Sequence, residues 1–190
     1  MNHGLLKTAL LALLGFSIVT SVEAQVYIYG GISFSGGPIA VDTGHLSTGQ
    51  SITSFGTVRV TDTTGDYASV PWGHVVTTTT PFTFSPAMVP NPVENLWQFY
   101  HGTNSYSFTL TEIQSVSQGA YPNNTEYLTI SGLGMLYMTD REPTAGSYII
   151  TANSAGQTFS FSAGNSVVPE PGSLALLVLG GILALARRND

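Results

Sequence analysis

The sequence predicts an all-β body, a β-sandwich or jelly-roll-like antiparallel fold, flanked by an N-terminal signal helix and a single C-terminal transmembrane helix. Three observations predict it. Apolar residues alternate with Ser and Thr over short runs, the period of a strand with one buried face. Only 8% of the 190 residues are charged, far below the roughly 25% of an ordinary soluble domain, so the Glu, Lys and Arg that long helices rely on are scarce. Finally, two uncharged apolar runs lie outside the alternating region, one on each side of it.

The first run belongs to residues 1–24. A weakly basic start containing Lys7 leads into an apolar stretch from Thr8 to about Val19, and Val22-Glu23-Ala24 supplies small residues in the pattern that precedes cleavage. These are the three parts of a secretory signal peptide. Cut between Ala24 and Gln25, the mature chain starts at Gln25, and signal peptidase and the general secretion machinery become expected partners.

The alternating region, residues 25–165, forms the extracytoplasmic domain. Strands are expected at Thr57–Thr61 (TVRVT), Pro81–Ser85 (PFTFS), Tyr106–Leu110 (YSFTL), Tyr127–Ile130, Tyr148–Ile150 and Phe159–Phe161, separated by glycine pairs, DTTGD (62–66), YPNN (121–124) and TAG (144–146). The stretch Pro92–Gly102 suits either a helix opened by Pro and Glu or an aromatic strand. Eight to ten strands at this spacing, with no repeat of solenoid length, lead to the sandwich or jelly roll.

Charge excludes one class of partner. The leader and the tail are each neutral, so the net charge of −6 resides in the body: Arg59 and Arg141, with no lysine, against Asp42, Asp62, Asp66, Glu94, Glu112, Glu126, Asp140 and Glu142. Such a surface repels phosphate backbones, and nucleic acid is not an expected partner. With no cysteine in the chain, disulfides and thiolate metal sites are excluded.

No catalytic constellation stands out, and neither a cofactor nor a metal is expected. Asp62 and Asp66 bracket a glycine, but the further oxygen ligands of a calcium loop are missing, so a hairpin turn is the expectation. His45, His74 and His101 lack metal-ligand spacing. Glu94, Glu112, Glu126 and Glu142 read as solvated surface, although two carboxylates facing each other at glycosidase distance would make a secreted glycoside hydrolase. The glycines of GLGML (132–136) do not match a dinucleotide fingerprint. Trp72, Trp97, Tyr100 and Tyr106 are either aromatic core or a sugar-stacking surface, and Trp72 and Trp97 are the sugar contacts expected if it is the latter.

The second apolar run closes residues 166–190. Ser173–Ala186 (SLALLVLGGILALA) is apolar on every side and is followed at once by Arg187-Arg188. Its fourteen residues span only ~21 Å as a helix, against the ~30 Å of a bilayer core. An all-round apolar helix still needs complete enclosure or lipid, and a two-layer β fold offers no enclosure for it. Arginines at the cytoplasmic face then leave the body outside, in agreement with the leader.

The order Val168-Pro169-Glu170-Pro171-Gly172-Ser173, apolar run, Arg187-Arg188 resembles the PEP-CTERM sorting signal of Gram-negative bacteria. The resemblance covers about Val167–Asp190. It implies a substrate of exosortase, a membrane-embedded processing enzyme, with Pro169, Glu170, Pro171 and Gly172 as the sorting motif (168–172), residues 173–186 as the membrane segment and Arg187 and Arg188 as the stop. It further implies transient anchoring in the inner membrane, then a place on the cell surface or in the extracellular matrix, in bacteria that make exopolysaccharide. Two prolines suit this role physically, because they keep the segment extended and out of any sheet. The expectation is a non-enzymatic exported protein with a structural or adhesive body, or alternatively a module binding exopolysaccharide.

Overall fold

The computed structural model describes residues 26–155 and the backbone of residues 158–164. The expected signal helix (1–24), the sorting motif and the apolar segment 173–186 lie outside the described residues. Among the described residues no helix is long and apolar enough to cross a membrane.

The body is all-β. Its first six strands are short: β1 (Gly31–Gly36), β2 (Ala40–Val41), β3 (Ser51–Ser54), β4 (Val58–Thr63), β5 (Val75–Thr78) and β6 (Phe82–Thr83). The next five are mostly longer: β7 (Val93–His101), β8 (Asn104–Ala120), β9 (Glu126–Met138), β10 (Thr144–Asn153) and β11 (Thr158–Gly164). The ambiguous stretch from Pro92 is thus a strand. Asp62 to Asp66 runs from the end of β4 into a 3₁₀ turn at Gly65–Tyr67 instead of forming a two-strand hairpin.

Two sheets packed face to face are not what these strands build. Eight of them form one closed antiparallel barrel in the order β1-β11-β10-β9-β8-β7-β5-β4, while β2, β3 and β6 make a separate small sheet. Closure depends on β1, which pairs with β4 through Phe34–Val60 and with β11 through Phe34–Phe161. Period-two alternation marks one buried face per strand and is identical in a sandwich and a barrel. What distinguishes them is bending, and here bulges supply it: the register shifts within β1, β7 and β8.

The core fills the barrel. Phe34 of β1 meets Trp97 of β7 at 5.0 Å, although β4 and β5 lie between them around the ring, so the contact crosses the interior. Trp97 stacks on Phe108 at 6.0 Å, Phe99 on Tyr106 at 4.8 Å, and Phe108 meets Tyr148 edge-on at 5.7 Å. GLGML finds its reason here. A Cβ on Gly134 would stand 2.1 Å from the Phe108 ring, and one on Gly132 2.0 Å from the Glu112 carbonyl, so β9 gives up side chains where β8 needs room.

Outward positions of the same strands carry Ser107, Thr109, Thr129, Ser131, Ser147 and Thr151. The same outer wall also exposes Leu133, Tyr137 and Ile149, so its character is mixed.

Candidate functional site

An exposed aromatic patch forms on the outer wall where β4, β5 and β7 run side by side. Its geometry starts from the turn Pro71-Trp72-Gly73-His74, which folds back on β4: the Gly73 N–H donates to the Val60 carbonyl at 2.8 Å. The Arg59 guanidinium donates to the Gly73 carbonyl at 2.9 Å, which sets the cation beside Trp72. On the other side His74 Nε2 lies 3.0 Å from the Tyr100 carbonyl, and its ring packs 5.2 Å from Phe99 and 5.5 Å from His101.

The turn is therefore tied to β4 and β7 at once. Trp72 is 80% exposed and Tyr100 73%, with Val75 also exposed and paired to Arg59 on the outer face of β5. Among the described residues Arg59 makes no ion pair. An exposed cation on the same outer wall as two exposed aromatic rings has the chemistry to stack on a flat apolar face and hydrogen-bond an oxygen-rich ligand.

Of the two tryptophans expected as sugar contacts, only Trp72 is on the surface. Trp97 is 1% exposed and enclosed by Phe34, Phe99 and Phe108, so it presents nothing to a ligand. Tyr106 is buried as well. Parity explains the difference. The β7–β8 register shifts between Val93 and Trp97, where Asn95 adopts a positive φ of 47°, and from Trp97 onward odd residues point inward and even ones outward. With the strand assigned, Tyr100 follows as the exposed member. Trp72 is legible from its neighbours, since Pro and Gly on either side mark a turn.

The remaining polar residues fasten the fold. Glu126, at the start of β9, accepts hydrogen bonds from the Leu46 N–H at 2.8 Å and the Ser47 hydroxyl at 2.9 Å, and lies 3.0 Å from His45 Nδ1. Partial burial raises the carboxyl's pKa, but the bonds from Ser47, Leu46 and His45 together outweigh it and hold the group below its ordinary value. Ser47 bonds the carboxylate and not the imidazole, so the three do not form a nucleophile–base relay.

Asp66 pairs with Arg141 at 3.1 Å and accepts the Tyr29 N–H at 2.8 Å; Asp62 accepts the N–H of its neighbour Thr63. The two aspartates of the glycine turn thus serve separate bonds. That network holds down the start of the body. Glu142 N–H donates to the Val26 carbonyl and Ile28 N–H to the Thr144 hydroxyl, next to the expected cleavage at Ala24 and Gln25, which lie outside the described residues.

His74 and His101 are neighbours, while His45 sits apart on Glu126. Among the described residues no group of three His, Cys, Asp or Glu is placed to hold a metal. Among the grooves formed by the described residues, one of about 430 Å³ lies beside Glu112 and one of about 220 Å³ beside Glu126, each with a single carboxylate in its wall.

Comparison with known proteins bears on the tail. No curated protein and no solved structure matches the chain. Residues 167–189, which hold Pro169, Glu170, Pro171, Gly172, Arg187 and Arg188, match the PEP-CTERM protein-sorting motif. That motif implies export and cell-surface sorting, and it makes the chain a PEP-CTERM protein, an exosortase substrate.

Proposed function

We propose that this is a surface or extracellular-matrix protein whose barrel is a structural or adhesive unit and not a catalyst. In this reading the tail is a temporary address: residues 173–186 hold the chain in the inner membrane while exosortase acts near Pro169-Glu170-Pro171, after which the barrel leaves for the exterior. The observation that carries it is the sorting motif at 167–189. The serines and threonines that β8, β9 and β10 turn outward support it as a hydrogen-bonding surface.

The test is the intact mass of the protein isolated from its own cells. A chain starting at Gln25 and ending near residue 170 is the expected product. A C-terminus at Asp190 in the mature surface form would replace processing by permanent anchoring.

A second reading is favoured by one observation, the exposed group of Trp72, Tyr100 and Arg59. It makes the barrel a module that binds exopolysaccharide by stacking sugar rings on Trp72 and Tyr100. On a glycan array this reading expects binding that Trp72→Ala removes. Signal equal to that of the Ala variant on every glycan leaves the structural role alone.

A further inference from the structure

A closed barrel has no sheet edges in principle, yet one strand here outruns its neighbour. β8 extends from Asn104 to Ala120, whereas its last pair with β7 is Leu110 with Val93. On its other side β9 keeps pace as far as Ala120 opposite Glu126. Residues 111–120 therefore have a strand on one side only. This is the longest such stretch among the described residues, since the outer strands of the small sheet, β2 and β6, have two residues each.

The open side faces the 430 Å³ groove, whose far wall is the Phe84–Met88 segment. Two register shifts disturb the pairing before Ser115, but Ser115–Ala120 pairs regularly with Ser131–Glu126. Alternate residues of such a strand aim their N–H and C=O groups away from the existing partner. Proteins ordinarily blunt an edge of this kind with Lys, Pro or an inward charge. Ser-Val-Ser-Gln-Gly-Ala contains none of these, and Ser115, Val116 and Ser117 are exposed.

We infer that this edge is the assembly surface of the protein, pairing antiparallel with the same edge of a second copy to give a two-fold dimer with one continuous sheet. Charge selects the place. The body carries the whole net charge of −6, so two copies repel wherever acid faces acid, and Ser115–Ala120 is a charge-free length of open backbone. Symmetry selects the partner, because an antiparallel edge is complementary to itself. Two-fold symmetry requires one residue to face its own copy, and centred on Ser117 the pairing sets Val116 against Gln118 and Ser115 against Gly119, with the two Ser117 side chains directly opposite on the same face. Five residues of such a ladder run for about 17 Å.

The chain's lack of cysteine makes this testable in the full-length protein. In the proposed register the two copies of residue 117 lie directly opposite each other on the same face, whereas residue 118 of each copy points to the other face and lies opposite residue 116 of its partner. Ser117→Cys protein is placed under mild oxidation and compared with Gln118→Cys and with Asn123→Cys in the β8–β9 turn. Ser117→Cys is expected to give roughly tenfold more covalent dimer than either other variant, the gain of a held over a random encounter. Equal yields in all samples, or no dimer from Ser117→Cys, overturn the inference. Sedimentation of the unsubstituted protein is the independent arm. A concentration-dependent dimer is expected, and a monomer at every concentration overturns the inference even if a variant fails to fold. Neither arm depends on where the tail is cut.

Discussion

Trp97 and Trp72 are chemically the same, and the backbone decides their fates. Trp97 is packed between Phe99 and Phe108 with Phe34 across the barrel, so its removal leaves a cavity that stacked rings cannot collapse into. Trp97→Ala is expected to lower stability by about 3–5 kcal/mol, read as a fall in the midpoint of denaturant unfolding. Trp72 is 80% exposed, and Trp72→Ala is expected to change stability by no more than about 0.5 kcal/mol. Equal costs for the two would show that the interior stack is not what holds the barrel. At this scale the sequence identified the aromatic residues but left their direction open. Direction depends on strand parity, and the irregular start of β7, where adjacent Leu96 and Trp97 are both buried, breaks the alternation with no more signal than an asparagine at 95.

At the scale of elements, the loop between β2 and β3 is held by two carboxylates from opposite sides. Within the loop Asp42 accepts backbone N–H groups from Gln50, Ser51 and Thr43, and the bond from Gln50 does most to hold its pKa below the ordinary value. From outside, Glu126 of β9 holds Leu46, Ser47 and His45. Because the folded-state pKa of Glu126 lies below its ordinary 4.5, the stabilisation it gives is complete above that pH and is lost as pH falls through the lower, folded value. Hydrogen exchange at the Leu46 amide reports this directly. Protection is expected to hold at neutral pH and to collapse in acid before the barrel amides are affected, whereas Glu126→Gln should show weak protection with no acid step. An acid step that survives in the Gln variant would assign it to another group. None of this clasp was legible in the sequence. Residues 45–47 and 126 are separated by most of the barrel's chain, and Glu126 looked like any surface acid. The strands themselves were legible, because Val58 and Val60, or Tyr106, Phe108 and Leu110, alternate without interruption.

For the whole molecule, the sequence carried the all-β class and the sorting tail but not the closure, since each strand's pattern is local and closure is a relation between β1 and strands on both sides of it. That relation bears on how the protein can be processed. β11 is the last strand before the tail, and it fills the place between β1 and β10 through Gly31–Gly164 and Asn153–Thr158. It ends at Gly164, and the sorting motif begins at residue 167. A cut near Pro169-Glu170-Pro171 therefore spares every ladder hydrogen bond of the barrel, while a cut a few residues upstream would reach the closing strand. Two truncations separate these cases. A chain ending at Ser166 is expected to unfold in a single transition with the same midpoint as the full-length protein. A chain ending at Gly156 loses β11 and exposes the edges of β1 and β10, which are long, hydroxyl-rich and without lysine, so it is expected to aggregate or to lose its cooperative transition. If the shorter chain instead unfolds like the longer one, the barrel does not need β11 for closure. The position of the sorting motif directly after that strand would then have no bearing on the fold it releases.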